Sequence, residues 1–138
     1  MSASPGPAGV GSPLSFLAFD FGTRRVGVAS GNSLTGNAQP LSTVSAQGGA
    51  RFEAIAKLIQ EWQPSALVVG VPFHPDGAEH DNTRRARRFA HQLHGRFQLT
   101  VHEVDERYTT TEALALGAAD VDAASASIIL EQFLRTLE

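Results

Sequence analysis

The sequence contains no cysteine, which excludes disulfide bonds, thiolate metal sites and a cysteine nucleophile. No apolar run reaches the roughly 18 residues of a membrane-spanning helix, so no membrane partner is expected. The five histidines show none of the spacings of common zinc motifs, and none is expected to be catalytic. The lack of cysteine permits a reducing cytoplasm, where we expect the protein.

Broad positive charge is lacking as well. The net charge is −3, so the chain does not carry the general cationic field of a non-specific nucleic-acid binder. Of the eleven basic residues ten are arginines, which suit bidentate phosphate contacts better than lysine does. Four of them fall in one short stretch, at Arg84, Arg85, Arg87 and Arg88. We therefore expect a local cationic surface.

The 138 residues predict one domain that is large enough for a hydrophobic core. Residues 1–13 are rich in Ser, Ala, Gly and Pro and lack the basic and apolar regions of a secretory signal. They are predicted to form a flexible tail. The folded domain is then expected over 14–138.

Hydrophobic patterning predicts an α/β domain, with a mixed sheet covered by helices on both faces. Strands are predicted at 17–21, 26–30, 41–45, 65–72 and 97–104. Helices are predicted at 52–62, from Asp81 or Asn82 to Gly95, from Thr109 to about Gly117, and at 122–137. The third of these rests on a capping box that begins at Thr109. The apolar residues Ile129, Leu130, Phe133 and Leu137 are expected to face the core.

Asp20 is the most informative residue, because it lies in a strand that is otherwise apolar. An ionised carboxylate in a buried strand is costly unless it is paired, hydrogen-bonded or bound to a metal. Gly22 and Thr23 break the strand, so the acid stands just before a tight turn. A carboxylate that only accepts hydrogen bonds from the turn's backbone explains Asp20 equally well.

Glu106 and Asp122 also stand where a predicted strand ends or a helix begins. If the first and last strands lie near one another, Asp20 and Glu106 share one rim of the sheet. Clustered carboxylates stay ionised together only with a cation between them, and oxygen ligands suit Mg²⁺ or Mn²⁺. Two such ions about 4 Å apart support phosphodiester hydrolysis. The simpler explanations are an exposed ion pair of Glu106 with Arg107 and an N-cap role for Asp122.

Five segments, in this order, resemble the YqgF/RuvX family of Holliday-junction-resolvase-like proteins and pre-16S rRNA nucleases. They are 19–29, 68–72 with 76–77, 83–89, 105–110 and 121–126. The resemblance extends over Leu17 to Leu137 and implies an RNase H-like fold. It also implies a metal-dependent endonuclease that hydrolyses phosphodiester bonds in 5′-end maturation of pre-16S rRNA during ribosome biogenesis.

The same resemblance implies the site residues and partners. It implies that Asp20, Glu106 and Asp122 are catalytic and bind Mg²⁺ or Mn²⁺. Substrate contacts fall on Thr23, Arg24, Arg84, Arg85, Arg88 and Arg107. For the three arginines of the predicted helix, a merely solvated face is an equal explanation. The implied partners are structured RNA such as pre-16S rRNA, or branched DNA, and ribosomal precursor particles, for a monomer or a homodimer.

Three other functions stay open. A DNA junction resolvase would use the same chemistry on another substrate. Similar sequences usually carry a longer, Gly-rich and often basic segment where this chain has only Thr111 to Val121, with the acidic Asp120 near its end. This difference favours, as an alternative, a catalytically weak RNA-binding assembly factor. The segment Asp20 to Thr23 also resembles the first phosphate-binding segment of sugar-kinase and actin-like ATPases, but those proteins need two lobes.

Overall fold

The computed structural model of the chain describes residues 14–108 and 120–137. The predicted tail over 1–13 and the predicted helix from Thr109 to Gly117 lie outside the described residues. None of the helices within the described ranges is long and apolar enough to cross a membrane.

Five strands form one mixed sheet, in the spatial order β3-β2-β1-β4-β5. The strands are β1 Ser15–Phe21, β2 Val26–Asn32, β3 Ala38–Val44, β4 Ala66–Val71 and β5 Val101–Asp105. β1 pairs antiparallel with β2 and parallel with β4, and β4 pairs parallel with β5. The carboxyl ends of β1, β4 and β5 therefore meet at one edge of the sheet, which we call the rim.

In the described part of the chain, three helices cover the two faces of the sheet, which confirms the prediction of helices on both faces. They are α1 Gly49–Trp62, α2 Asp81–Phe97 and α3 Val121–Arg135, and a 3₁₀ turn, Glu106–Tyr108, follows β5. Side chains alternate along β1, so that Leu17 and Phe19 join the core under α1 and α2, whereas Phe16 and Ala18 join the core under α3. All of β4 is buried, which confirms the prediction of a central parallel strand.

Several predicted boundaries are wrong, for local reasons. β3 begins at Ala38, not at 41, and contains Pro40, which is tolerated because β3 lies at an edge of the sheet. β5 begins only at Val101. Helix α2 continues through Gly95 to Phe97 and ends at Gln98, which adopts the left-handed conformation with φ of 58°.

Two helix caps also differ from the predictions. His80, not Asp81 or Asn82, caps α2, because its Nδ1 accepts a hydrogen bond from the Asn82 amide at 3.1 Å. Asp120, not Asp122, caps α3, and its Oδ1 accepts from the Ala123 amide at 3.0 Å. The N-cap explanation of Asp122 is therefore wrong.

The carboxyl end of α3 differs as well. Ile129, Leu130 and Phe133 are buried as predicted, together with Leu134. Leu137 lies beyond the end of the helix and is 47% exposed, so its predicted core position is wrong.

Helix α3 packs on β2 with its main chain unusually close to the sheet. A Cβ atom added to Gly27 would lie 1.9 Å from the main-chain oxygen of Asp122. No side chain fits between the two main chains, so glycine is required at this position of β2. The first turn of α3 is thereby fixed over the β1–β2 pair.

Gly27→Ala tests this contact. The added methyl group can be accommodated only if the α3 main chain moves, and overpacking of this kind costs about 1–3 kcal/mol. We expect the free energy of unfolding, measured by urea denaturation of the full chain, to fall by about that amount.

Gly95→Ala is the matched control, since a Cβ at this position of α2 would meet no described atom within 4 Å beyond its own helix backbone. In a helix interior, alanine is more favourable than glycine by about 0.5–1 kcal/mol, so this variant should be slightly more stable than wild type. A similar small change in both variants would contradict the close approach of α3 to Gly27.

Candidate active site

Asp20 lies between two glycines at the rim. It is the penultimate residue of β1, and its cross-strand partners are Gly27 in β2 and Gly70 in β4. The period of two in a strand turns its side chain to the same face as Ala18, which is the face covered by α3. Because neither partner carries a side chain, other groups can approach the Asp20 carboxylate from both sides.

Two further acids approach Asp20 over these glycines. Glu106 begins the 3₁₀ turn after β5, and its Oε2 lies 2.9 Å from where a Cβ of Gly70 would be. Asp122 lies in the first turn of α3, and its main chain covers Gly27. The structure therefore brings all three predicted carboxylates to one place at the rim.

Burial and repulsion between acids raise the pKa values of two of these three carboxyl groups. Burial raises the pKa of Glu106 to about 8, and repulsion by Asp20 and Asp105 contributes. Burial, followed by repulsion from Asp122, raises the pKa of Asp20 to about 6. A cation bound among these carboxylates would offset the part of both shifts that comes from repulsion, while burial remains the larger cause.

Glu106 is half-buried, so an ordinary exposed ion pair with Arg107 does not describe it. Arg107 binds Asp105, with Nη2 and Oδ2 2.8 Å apart, and this interaction lowers the pKa of Asp105. The guanidinium also lies 5.6 Å from the ring centroid of Phe73 and donates to the Pro75 carbonyl at 3.5 Å. Arg107 thus ties the loop after β4 to the end of β5.

Asp122 has a cationic partner. Its Oδ2 lies 3.0 Å from Nε of Arg25, whose side chain is 65% exposed. The role of helix cap, which would otherwise occupy Asp122, is taken by Asp120. A hydrogen bond from Thr43 is the main cause that lowers the pKa of Asp120. The Asp122 side chain therefore does not cap the helix and instead pairs with an exposed arginine.

The chemistry of the donor set fits a hard divalent cation. All three candidate ligands are carboxylates, the oxygen donors that Mg²⁺ and Mn²⁺ prefer. Within 14–108 and 120–137, however, no group of three or more His, Cys, Asp or Glu side chains is arranged to hold a metal ion. Asp122 already has a cationic partner, because its Oδ2 lies 3.0 Å from Nε of Arg25.

Of the six predicted substrate contacts, Arg107 directly follows Glu106 and is bound to Asp105. The other five fall into two groups. Thr23 and Arg24 are exposed in the turn that follows Asp20, next to the rim. Arg84, Arg85 and Arg88 lie on α2, which covers the opposite face of the sheet. The structure therefore brings only the first group close to the three acids.

Sequence reasoning missed three residues of the site. Gly27 and Gly70 make room for the acids, and Arg25 pairs with Asp122. A glycine inside an apolar strand is a recognised sign of close main-chain approach, so Gly27 and Gly70 carried a readable signal. The Arg25–Asp122 pair depends on how α3 returns to β2, and no local pattern indicates it.

Comparisons with known proteins agree with this arrangement. A family model described as "RuvX: Holliday junction resolvase" matches residues 14–136. The chain is 69% identical to a protein of Polaromonas sp. over 122 residues, 88% of each chain. It is 64% identical to a protein of Albidiferax ferrireducens over 138 residues, 98% of this chain and 88% of that one. Both relatives are named "Putative pre-16S rRNA nuclease".

Among solved structures, the fold is similar to that of Thermus thermophilus RuvC in complex with a Holliday junction substrate. The TM-score is 0.55 at 14% identity, and the match covers 90% of this chain and 95% of RuvC. This likeness confirms the predicted RNase H-like fold.

The raised pKa of Glu106 predicts a pH-dependent stability. The ordinary value is 4.5 and the folded value about 8, so between these pH values the folded state keeps a proton that the unfolded chain releases. This contribution to stability is complete below pH 4.5 and is lost as the pH rises through 8. Glu106→Gln cannot ionise, so this variant does not lose stability in this way as the pH rises. Its unfolding free energy, relative to wild type, should therefore increase from about pH 5 to about pH 8.

Urea unfolding in metal-free buffer measures this advantage. Glu61→Gln, at an exposed glutamate of α1, makes the same chemical change away from the rim and should differ from wild type equally at both pH values. A constant margin for Glu106→Gln would mean that Glu106 does not carry the raised pKa.

Proposed function

This chain belongs to the RuvX family of Holliday junction resolvases, and we propose that it is a divalent-metal-dependent endonuclease that hydrolyses phosphodiester bonds in pre-16S rRNA. The observation that carries the proposal is the half-buried pair of Asp20 and Glu106 at the rim, with Asp122 beside it. Repelling carboxylates at an exposed edge of a sheet suit a site that works with a cation.

Asp20 and Glu106 would hold the ion, either Mg²⁺ or Mn²⁺, with Asp122 as the third ligand. When bound, such an ion supplies activation of the attacking water and stabilisation of the leaving oxygen. Asp20 is fixed by strand pairing on both sides, and Asp122 by the packing of α3 on Gly27. Both carboxylates are therefore oriented before the substrate arrives.

Exposed cations beside the rim suit a phosphodiester substrate. Arg24 and Arg25 lie in the turn after Asp20, and a guanidinium binds phosphate oxygens in a bidentate manner. Arg25 holds Asp122 at 3.0 Å, so its release from Asp122 would free a carboxylate and a phosphate-binding group together. Thr23 adds a hydroxyl in the same turn.

The proposed reaction is 5′-end maturation of pre-16S rRNA in the cytoplasm, on ribosomal precursor particles, by a monomer or a homodimer. The names of the close relatives support RNA as the substrate. The family description supports a second candidate, cleavage of branched DNA at the same site. An assay that offers both substrates separates the two candidates.

We predict metal-dependent cleavage of a labelled 16S rRNA precursor by the wild-type chain with Mg²⁺ or Mn²⁺. Asp20→Asn and Glu106→Gln preserve the size of the side chains but remove their charge, so each should lower the cleavage rate by more than about 100-fold. That is the upper limit for residues that merely support a metal ligand. Glu61→Gln, an exposed acid on α1, should cleave at the wild-type rate.

Cleavage that needs the ion and disappears in both site variants would establish the nuclease. A folded wild-type chain that binds the precursor but does not cut it with either ion would refute the proposal in favour of an RNA-binding assembly factor. Cleavage of branched DNA alone would transfer the activity to the second candidate.

A further inference from the structure

A second feature lies back to back with the rim, on the face of the sheet covered by α1 and α2. Between these helices is an open pocket of about 300 Å³. Arginines and phenylalanines dominate its lining, namely Arg51, Arg85, Arg88, Phe21, Phe52 and Phe89. Phe21 directly follows Asp20 in β1, and alternation along the strand turns the two side chains to opposite faces.

Arg51 is a buried cation in this pocket, with only 7% of its surface exposed. Its Nε donates to the Ala46 carbonyl at 3.1 Å and its Nη2 to the Thr23 carbonyl at 3.0 Å. These acceptors are neutral, and Arg51 forms no ion pair with a carboxylate in the described part of the chain. Cζ of Arg51 also lies 5.7 Å from the ring centroid of Phe21, so a buried positive charge lies beside an aromatic ring in this pocket.

The arginines of α2 divide into paired and unpaired ones. Arg84 pairs with Asp81 at 2.8 Å, and Arg87 pairs with Glu79 and Glu103. Arg85 and Arg88, which line the pocket, form no ion pair among residues 14–108 and 120–137. The two arginines of α2 that line the pocket therefore have no acidic partner within these residues.

The positive charge continues along α2. Arg96 lies on the same side of the helix as Arg85 and Arg88, and its guanidinium is 4.1 Å from the ring centroid of Phe52. From Arg85 to Arg96 the row extends about 16 Å at the helical rise per residue. That length exceeds what one phosphate group occupies and suits an extended chain of phosphates.

We propose that this pocket and the arginine row bind a single-stranded segment of the substrate RNA that flanks the cleaved bond. The exposed Arg85 and Arg88 contact its phosphates, the buried Arg51 adds positive charge to the pocket, and Phe21 offers a partly exposed ring to a base. The turn over 22–25 joins the two sites, because the Thr23 carbonyl that accepts from Arg51 lies in it. The inference rests on the proposed nuclease function, which supplies the strand.

Binding of a short fluorescent single-stranded RNA to the full chain, followed by anisotropy in EDTA, tests the proposal without cleavage. Arg85→Gln and Arg88→Gln should each weaken binding about tenfold, as expected for loss of a charge-assisted contact. Each should also reduce the slope of log affinity against log salt concentration by about 0.7, the value for one phosphate contact on a single strand. Both side chains are exposed, so neither change should affect folding.

Two control variants separate the pocket from general charge effects. Arg135→Gln removes one exposed arginine at the far end of α3, on the other face of the sheet, and should bind RNA like wild type. Arg84→Gln removes an arginine that is already paired, and its effect should be smaller than that of Arg88→Gln. Equal weakening by all four variants, or by none, would overturn the proposal.

Two competing ligands test the chemical class. A poly-glutamate peptide that displaces the RNA as well as unlabelled RNA does would show a general anion site and refute the assignment. The second competitor is a DNA strand of the same sequence. If Arg85→Gln and Arg88→Gln lose as much affinity for DNA as for RNA, contacts to the shared phosphate backbone are supported. If they lose affinity for DNA alone, the RNA assignment is refuted. RNA binding is measured in EDTA, without metal. If the cleavage assay fails, the binding result can therefore still be interpreted on its own.

Discussion

The site depends on close packing over two glycines of the sheet. At Gly27 the α3 main chain lies where a side chain would otherwise be, and at Gly70 the Glu106 carboxylate takes that space. Asp20 stands between these glycines in the sheet. Because neither glycine carries a side chain, Asp122 and Glu106 can approach Asp20. A side chain at either position would push one acid away. The sheet therefore positions Asp20, helix α3 positions Asp122, and the 3₁₀ turn positions Glu106.

This packing works against electrostatic repulsion. Burial is the main cause that raises the pKa of Asp20 to about 6 and that of Glu106 to about 8, and repulsion adds to both, from Asp122 on Asp20 and from Asp20 and Asp105 on Glu106. Such arrangements persist when the site has a chemical task that needs them. Positive charge is kept nearby but on other elements, in the 22–25 turn and on the far face of the sheet. The end of β1 thus separates the acidic face, which suits cleavage, from the basic face, which suits binding of single-stranded RNA.

Much of this molecule could be predicted from local sequence pattern. The apolar runs predicted the central strands, helical spacing predicted α1 to α3, and Asp20 was conspicuous because it interrupts an apolar strand. What failed was decided by geometry between distant residues. Caps depend on which residue leaves helical φ and ψ, so His80 and Asp120 were missed. The pairing of Arg25 with Asp122 and the approach of Glu106 to Gly70 depend on sheet register and on the return of α3, which no short segment encodes.

The central claim, that Asp20 and Glu106 form a cation site, is tested most directly by binding Mn²⁺ to the full chain and measuring the free ion by electron paramagnetic resonance. At pH 8 the wild type should remove Mn²⁺ from solution, and it should do so more weakly at pH 6, because ligand carboxyls must first lose their protons. Asp20→Asn should bind much less at both pH values, and Glu61→Gln should match the wild type. If Asp20→Asn binds Mn²⁺ as well as the wild type, or the wild type does not bind it, the account is wrong.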